Sequence, residues 1–192
     1  MKTYGSEPKA AAWRDRERQL RRFQIFSGLF EIVSADTGFS VNDLGCGYGA
    51  MFEAYRDLPA FKNAHYYGYD ISTGMLDEAR ANISDSRAVW IHSHEATHDA
   101  DFSFISGTYN LNLNADVDLW RQYVEENLLQ LWSKTRVALG FNMLSAHAPK
   151  RQKTLYYADP DHFLAFCRTH MSNQVRLVDR LAPEEFVIFV MR

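Results

Sequence analysis

Cysteine is scarce in this chain, and long apolar runs are missing altogether. Cys46 and Cys167 stand far apart, with neither CxxC nor disulfide-framework spacing, which argues against a stapled secreted scaffold. No apolar segment of export type follows Met1, and no run approaches the roughly 20 residues that span a bilayer. The expectation is a cytoplasmic protein with no membrane role. Low-complexity stretches are absent too, so nothing in the composition predicts disorder. Neither sign of charge dominates: 21 Lys and Arg against 24 Asp and Glu leave a net charge of −3, which offers no broad attraction to nucleic acid phosphates. The one local concentration, WRDRERQLRR, sets Arg14, Arg16, Arg18, Arg21 and Arg22 against Asp15 and Glu17. Mixed charge of that kind reads as a solvated helix face.

What is present is apolar and aromatic: 46% hydrophobic residues and 14% aromatics over 192 positions, enough for one sizeable core. The chain reads as a single domain, 1–192. Between about Ala10 and Val33, Leu20, Phe23, Phe26 and Phe30 recur at helical intervals broken by Gly28. Val41–Leu44 reads as a strand, Met51–Leu58 as a helix stopped by Pro59, and HYYGYD at 65–70 as a second strand. A helix over 74–83, strands at 88–92 and 102–106, a helix over 119–132 and a strand over 136–144 follow. A basic loop, SAHAPKRQKT, then leads to a helix near 160–170, and VRLVDRL and EEFVIFVMR read as a closing hairpin. Strands alternating with helices and ending in a hairpin predict an α/β fold with an open, mostly parallel sheet and an antiparallel edge.

The residues that carry chemistry begin at VNDLGCGYGA, 41–50, where glycines occupy every second position between the first strand and the first helix of a βαβ unit. Such a turn lets a backbone approach a ligand closely, with helix N-terminal amides aimed at it. Gly45, Gly47 and Ala50 satisfy even the GxGxxA dinucleotide version, so a nicotinamide enzyme is a rival reading. Asp43, two residues before the first glycine, weighs against it: a carboxylate there suits a cationic amine and repels a pyrophosphate. Asp70, closing the second strand, can accept from both hydroxyls of a ribose, as either type of cofactor requires. His92, His94, His98 and Asp99 invite a metal reading, but there is no second ligand pair at helical spacing, and no metal is expected.

DLGCGYG, YYGYDIS and DFSFISG together resemble three motifs of the class I S-adenosylmethionine-dependent methyltransferases, and the resemblance runs from about residue 40 to the last residue. SGTYN at 106–110, FNML at 141–144, YYADP at 156–160 and EEFVIFVMR are similar to a group of small stand-alone bacterial members. The resemblance implies a Rossmann-like, seven-stranded, mostly parallel sheet with helices on both faces and a C-terminal antiparallel hairpin over 39–192; the N-terminal helical segment, 1–38 with Trp13, Phe23 and Phe26, is expected to fold over the cofactor end as a lid, which the sheet alone would leave open, the alternative being packing on a sheet face. The resemblance also implies S-adenosylmethionine as cofactor. Asp43, Gly45 and Gly47 would line its methionine moiety, Asp70 would hold the ribose, and Ile71 and Met75 would lie against the adenine. The family often has an Asp after the third strand to meet the adenine amino group; here the chain reads WIHSHEATHD, and His94 or Glu95 stands in that place. Cys46 joins the cofactor contacts as a small space-filling residue.

In this family the methyl group points over the C-terminal ends of the fourth and fifth strands, which places Ser106, Gly107, Tyr109, Asn110, Asn142, Ser145 and His147 beside the reaction. Tyr109 is expected to stack on the substrate or sulfonium, where cation–π attraction is worth about 1 kcal/mol. Asn110 would orient an amine or hydroxyl, and His147 is the candidate general base. Tyr156 and Tyr157 either wall the pocket or pack. The chain lacks an (N/D)PP(Y/F) motif and a broad basic surface, so the expected substrate is a small metabolite methylated on O or N rather than nucleic acid. The alternative is a non-catalytic cofactor-binding protein with a regulatory or scaffolding role.

Overall fold

The computed structural model describes residues 8–33, 38–112 and 114–192, with side chains from Arg16 onward; the Trp13 side chain lies outside the described residues. Helix α1 (Pro8–Ser27) runs into a short 3-10 turn, Gly28–Ile32, at the glycine that breaks the periodicity. Strand β1 (Ser40–Leu44), helix α2 (Ala50–Tyr55), strand β2 (His65–Asp70), helix α3 (Thr73–Asn82), strand β3 (Ala88–His92), strand β4 (Ala100–Ser106), helix α4 (Val117–Ser133), strand β5 (Thr135–Leu144), helix α5 (Pro160–His170), strand β6 (Val175–Val178) and strand β7 (Glu185–Met191) complete the chain.

Local chemistry sets the ends of these elements. Helix α2 stops three residues earlier than its spacing predicts because Pro59 forces Leu58 into extended backbone (φ −68°, ψ 137°). Helix α4 starts two residues earlier because the Asp116 carboxylate accepts from the amides of Asp118 and Leu119. Asp159 caps α5 in the same way, with Pro160 at the first helical position.

The seven strands form one sheet in the order β3-β2-β1-β4-β5-β7-β6. All contacts from β3 to β5 are parallel, and β7 runs antiparallel to both β5 and β6. The closing hairpin is therefore present, but its first strand is the one at the edge, and only β7 opposes the rest of the sheet. Reversal of strand order on either side of β1 and β4 opens a crevice over their C-terminal ends, where ligands bind in open α/β sheets.

One face of the sheet is packed by aromatics. Phe30 meets Phe39, Tyr55, Phe61, Phe102 and Phe104 at centroid distances of 4.9–5.8 Å, and Phe26 lies 5.2 Å from Phe104. Each such pair adds about 1 kcal/mol beyond its burial, so α1 is fixed to the sheet along its apolar stripe of Phe23 and Phe26. The opposite face holds Leu128 and Leu131 of α4 and Phe163 and Cys167 of α5 over Ile105, Leu139 and Phe141.

Candidate active site

The turn from Gly45 to Gly49 is organised by β2. The amides of Gly45 and Cys46 both donate to the Tyr69 carbonyl, at 2.8 and 2.9 Å. The Gly47 amide donates to Asp70 Oδ2 at 2.8 Å, and the Ser72 amide donates to Asp70 Oδ1 at 2.8 Å. These turn amides are thus spent inside the protein, and the helix N-terminal amides that the sequence reading invoked begin at Ala50. What the glycines supply is shape. A Cβ on Gly45 (φ +80°) would fall 2.2–2.8 Å from three side-chain atoms of Thr108, and one on Gly49 (φ +87°) would strike Ile83 and Trp90. Only Gly47 (φ +56°) has open space where a Cβ would stand. Gly45 and Gly49 permit close packing, and Gly47 alone leaves the surface bare.

Asp43 lies beneath this turn rather than on its surface. Its carboxylate is fully buried and accepts from the Tyr66 hydroxyl. Burial, reinforced by the charge of Asp70 and opposed by the Tyr66 hydrogen bond, pushes its pKa up to about 7. The same burial, with the two carboxylates nearby, pushes the Cys46 thiol well above its ordinary value. Cys46 is buried, and its sulfur lies 2.9 Å from where a Cβ on Gly68 would be; it is a filler and no thiolate nucleophile.

Beyond Asp70 the surface turns apolar where an adenine is expected: Ile71 is 73% exposed and Met75 43%. Exposed large apolar side chains clustered beside a polar anchor mark a ligand surface. His94 and Glu95 form an exposed ion pair at 3.3 Å on the loop after β3. His92 bonds the Ile71 carbonyl, and His98 stacks on Tyr67 at 4.2 Å and contacts the Tyr69 hydroxyl. No group of three or more His, Cys, Asp or Glu among the described residues is arranged to hold a metal ion.

At the ends of β4 and β5 a cleft of about 750 Å³ is lined by Arg22, Ser106, Gly107, Asn110, Lys150 and Tyr157, among others. A charged chain crosses its floor. Arg22 of α1 donates from Nε to Ser106 Oγ at 3.3 Å and from Nη1 to both oxygens of Glu185 at 3.2–3.3 Å. Asn142 Nδ2 donates to Glu185 Oε2 at 2.9 Å, and Asn142 Oδ1 accepts from the Gly107 amide at 2.9 Å. The Arg22 and Glu185 side chains are only 13% and 5% exposed, so each is the other's compensation in a poorly solvated place. Sequence reasoning missed both. Arg22 hid in a charge run whose other described arginines are exposed; an acid opening the otherwise apolar EFVIFVM was the available signal.

Two expected catalytic residues take other places. Tyr109 is 4% exposed, set in the apolar layer against α4 with its ring edge-on to Tyr123. Its hydroxyl finds no partner among the described residues, and burial raises its pKa. An aromatic one turn after a strand serves a core as readily as a cleft, and here the core takes it. Tyr109→Phe is therefore expected to leave methyl transfer intact and thermal stability unchanged or slightly raised, since it removes a buried group that has no hydrogen bond; a large activity loss on labelled-methyl assay would restore the residue to the site. His147 is exposed and does not line the cleft, and its amide donates to Ser145 Oγ. Asn110 does line it, with Oδ1 accepting from the Leu144 amide at 3.1 Å.

A family model described as a methyltransferase domain matches residues 41–134. A Mycobacterium tuberculosis protein designated methyltransferase Rv1506c is 35% identical over 162 residues, 83% of this chain and 96% of that relative. Among solved structures, magnesium protoporphyrin IX methyltransferase of Synechocystis PCC 6803 with bound cofactor superposes at a TM-score of 0.66 with 14% identity, covering 99% of this chain and 86% of that one. The plantazolicin methyltransferase BpumL with S-adenosylhomocysteine gives 0.66 and 15%, covering 95% and 88%. The nicotinamide and non-catalytic readings lose their footing, because the domain model and the 35% identical relative are both those of methyltransferases: the chain belongs to the methyltransferases, and its sheet order is that of the class I fold.

Proposed function

We propose that this enzyme methylates an oxygen or nitrogen of a small-molecule metabolite seated in the cleft over the ends of β4 and β5. The observation that carries the reading is that cleft itself: about 750 Å³, of the size that takes a metabolite, walled by polar groups at the sheet edge and by the basic loop after β5. BpumL, a structural neighbour, is solved with a small desmethyl analogue of plantazolicin, which supports an acceptor of this class.

S-adenosylmethionine, the cofactor this fold implies, would supply a methyl group already activated on sulfur. Gly47, bare towards open space, would admit its methionine end, and Gly45, Cys46 and Ser106 would shape that end of the site. The buried Asp43 would attract its ammonium from beneath the turn. Asp70 keeps acceptor capacity beyond its two amide bonds, enough for a ribose. Ile71 and Met75 would cover the adenine, with His94 or Glu95 at its amino edge. On the acceptor side Asn110 is oriented by its bond from the Leu144 amide, so its contribution is positioning, the main requirement of an in-line displacement at about 3 Å.

Calorimetric titration with S-adenosylhomocysteine tests the cofactor assignments. Micromolar binding is expected, weakened about 100-fold or more by Asp70→Ala, which removes both the ribose anchor and the bond that shapes the Gly47 turn. Unchanged affinity in that variant would show that the site lies elsewhere.

A further inference from the structure

Gly107 closes β4 in a left-handed conformation (φ +75°), and the space a Cβ would fill there holds an arrangement the methyl-transfer reading has not used. Among the described residues, only two atoms beyond its chain neighbours come within 4 Å of that point: Asn110 Nδ2 at 3.5 Å and Arg22 Nη2 at 3.7 Å. Both are N–H donors with no partner among the described residues. Their orientations are fixed by bonds made elsewhere. The Leu144 amide occupies Asn110 Oδ1, so the amide nitrogen must face the cleft. Arg22 Nε and Nη1 are held by Ser106 and Glu185, so the second arm of the fork is left pointing over Gly107.

We propose that Arg22 and Asn110 form a carboxylate-binding pair over Gly107, at the floor of the cleft. A guanidinium nitrogen and an amide nitrogen that both lie within 4 Å of one point suit an oxyanion and offer nothing to an ammonium. Of the two acids that line the cleft, Glu185 is compensated, with both oxygens facing Arg22 and one also accepting from Asn142, which leaves Glu184 against the further cations. Arg18 and Lys150 line the same cleft, so its remaining charge is positive on balance. The pair thus assigns a carboxylate to one of two sources, the acceptor molecule or the methionine end of the cofactor. The inference rests on the methyl-transfer reading and gives it a chemical class of ligand.

Two conservative variants isolate the donors. Asn110→Asp keeps the acceptor for the Leu144 amide while turning the free donor into a carboxylate. Arg22→Lys keeps the charge opposite Glu185 while deleting the second arm. Each is titrated with S-adenosylhomocysteine and with its analogue lacking only the carboxylate, and then, saturated with S-adenosylhomocysteine, with benzoate against benzamide; melting temperatures confirm folding. A loss of about tenfold or more for S-adenosylhomocysteine, absent for the decarboxylated analogue, assigns the pair to the cofactor. Unchanged cofactor binding with a similar loss for benzoate, and no preference for benzamide, assigns it to the acceptor. Unchanged binding of every probe in both variants overturns the carboxylate pair and leaves the methyl-transfer reading standing. Failure of the unsubstituted protein to bind S-adenosylhomocysteine would sink that reading and the inference with it.

Discussion

Gly45→Ala is expected to fold poorly or not at all, while Gly47→Ala, two residues along the same motif, folds and loses its cofactor. Both positions have positive φ, which costs an alanine about 1–2 kcal/mol. The difference lies in what a methyl group would meet. At Gly45 it would overlap three side-chain atoms of Thr108 at 2.2–2.8 Å, and Thr108 cannot yield without giving up its bond to the Leu44 carbonyl at 3.0 Å. Overpacking and the orphaned carbonyl add about 2–5 kcal/mol, comparable to much of the stability of a domain this size. At Gly47 nothing stands within 4 Å, so the cost stays near the conformational one, and the methyl would instead enter the space proposed for the cofactor. Urea denaturation and S-adenosylhomocysteine titration of the two variants should therefore dissociate: fold lost in one, affinity lost about tenfold or more in the other. The reverse ranking would mean that the turn has been assigned the wrong way round.

Asp43→Asn should make the cofactor-free protein more stable above neutral pH and a poorer binder. Burial lifts the Asp43 pKa from 3.8 to about 7, so between those values the folded protein holds a proton that the unfolded chain has released. Stability therefore falls as pH rises through this window, by about 4 kcal/mol once pH 7 is passed. Asparagine keeps an oxygen to accept from the Tyr66 hydroxyl but carries no charge, so the variant should escape the decline. Asp85 and Asp101 have lowered pKa values from their arginine partners; their contributions change below pH 4 and leave the window clear. Thermal melts at pH 5 and pH 8 should show the variant ahead by about 1.5 kcal/mol at the lower value and by about 4 kcal/mol at the higher. Equal pH dependence would rule out a buried, proton-retaining Asp43. Weaker S-adenosylhomocysteine binding by the variant at pH 8 is the companion result, since a cofactor ammonium would recover the cost that the bare carboxylate carries.

The βαβ frame was readable because its signals are local: period-two and period-four apolar spacing, a proline that ends α2, glycines between β1 and α2, and an acid at the end of β2. Asp70 was found for its place in the chain, but its bond to the Gly47 amide joins residues 23 positions apart and no motif encodes it. The packing roles of Gly45 and Gly49 were not legible for the same reason. Their need for glycine comes from Thr108, Ile83 and Trp90, which arrive from distant segments. Tyr109 and Arg22 both moved: an aromatic at the sheet edge was given to the cleft and an arginine on a helix to solvent, whereas packing put the tyrosine in the core and the arginine at the cleft. Residue type and spacing identify a cleft-forming edge, and only the three-dimensional neighbours decide which side chains face into it.

The position of β7 sets the order in which this sheet can be completed. Strand β6 leaves the ribosome first, yet its only partner is β7, which must itself lie against β5 from Ala138 to Leu144. At about 5–20 residues per second of synthesis, the 13 residues from Val178 to Met191 take on the order of one second. Throughout that interval the β5 edge, bearing Leu139, Phe141 and Met143, is an unpaired template open to any passing strand. A nascent chain arrested before Glu185 would carry that exposed edge indefinitely, a natural substrate for chaperones and a seed for aggregation.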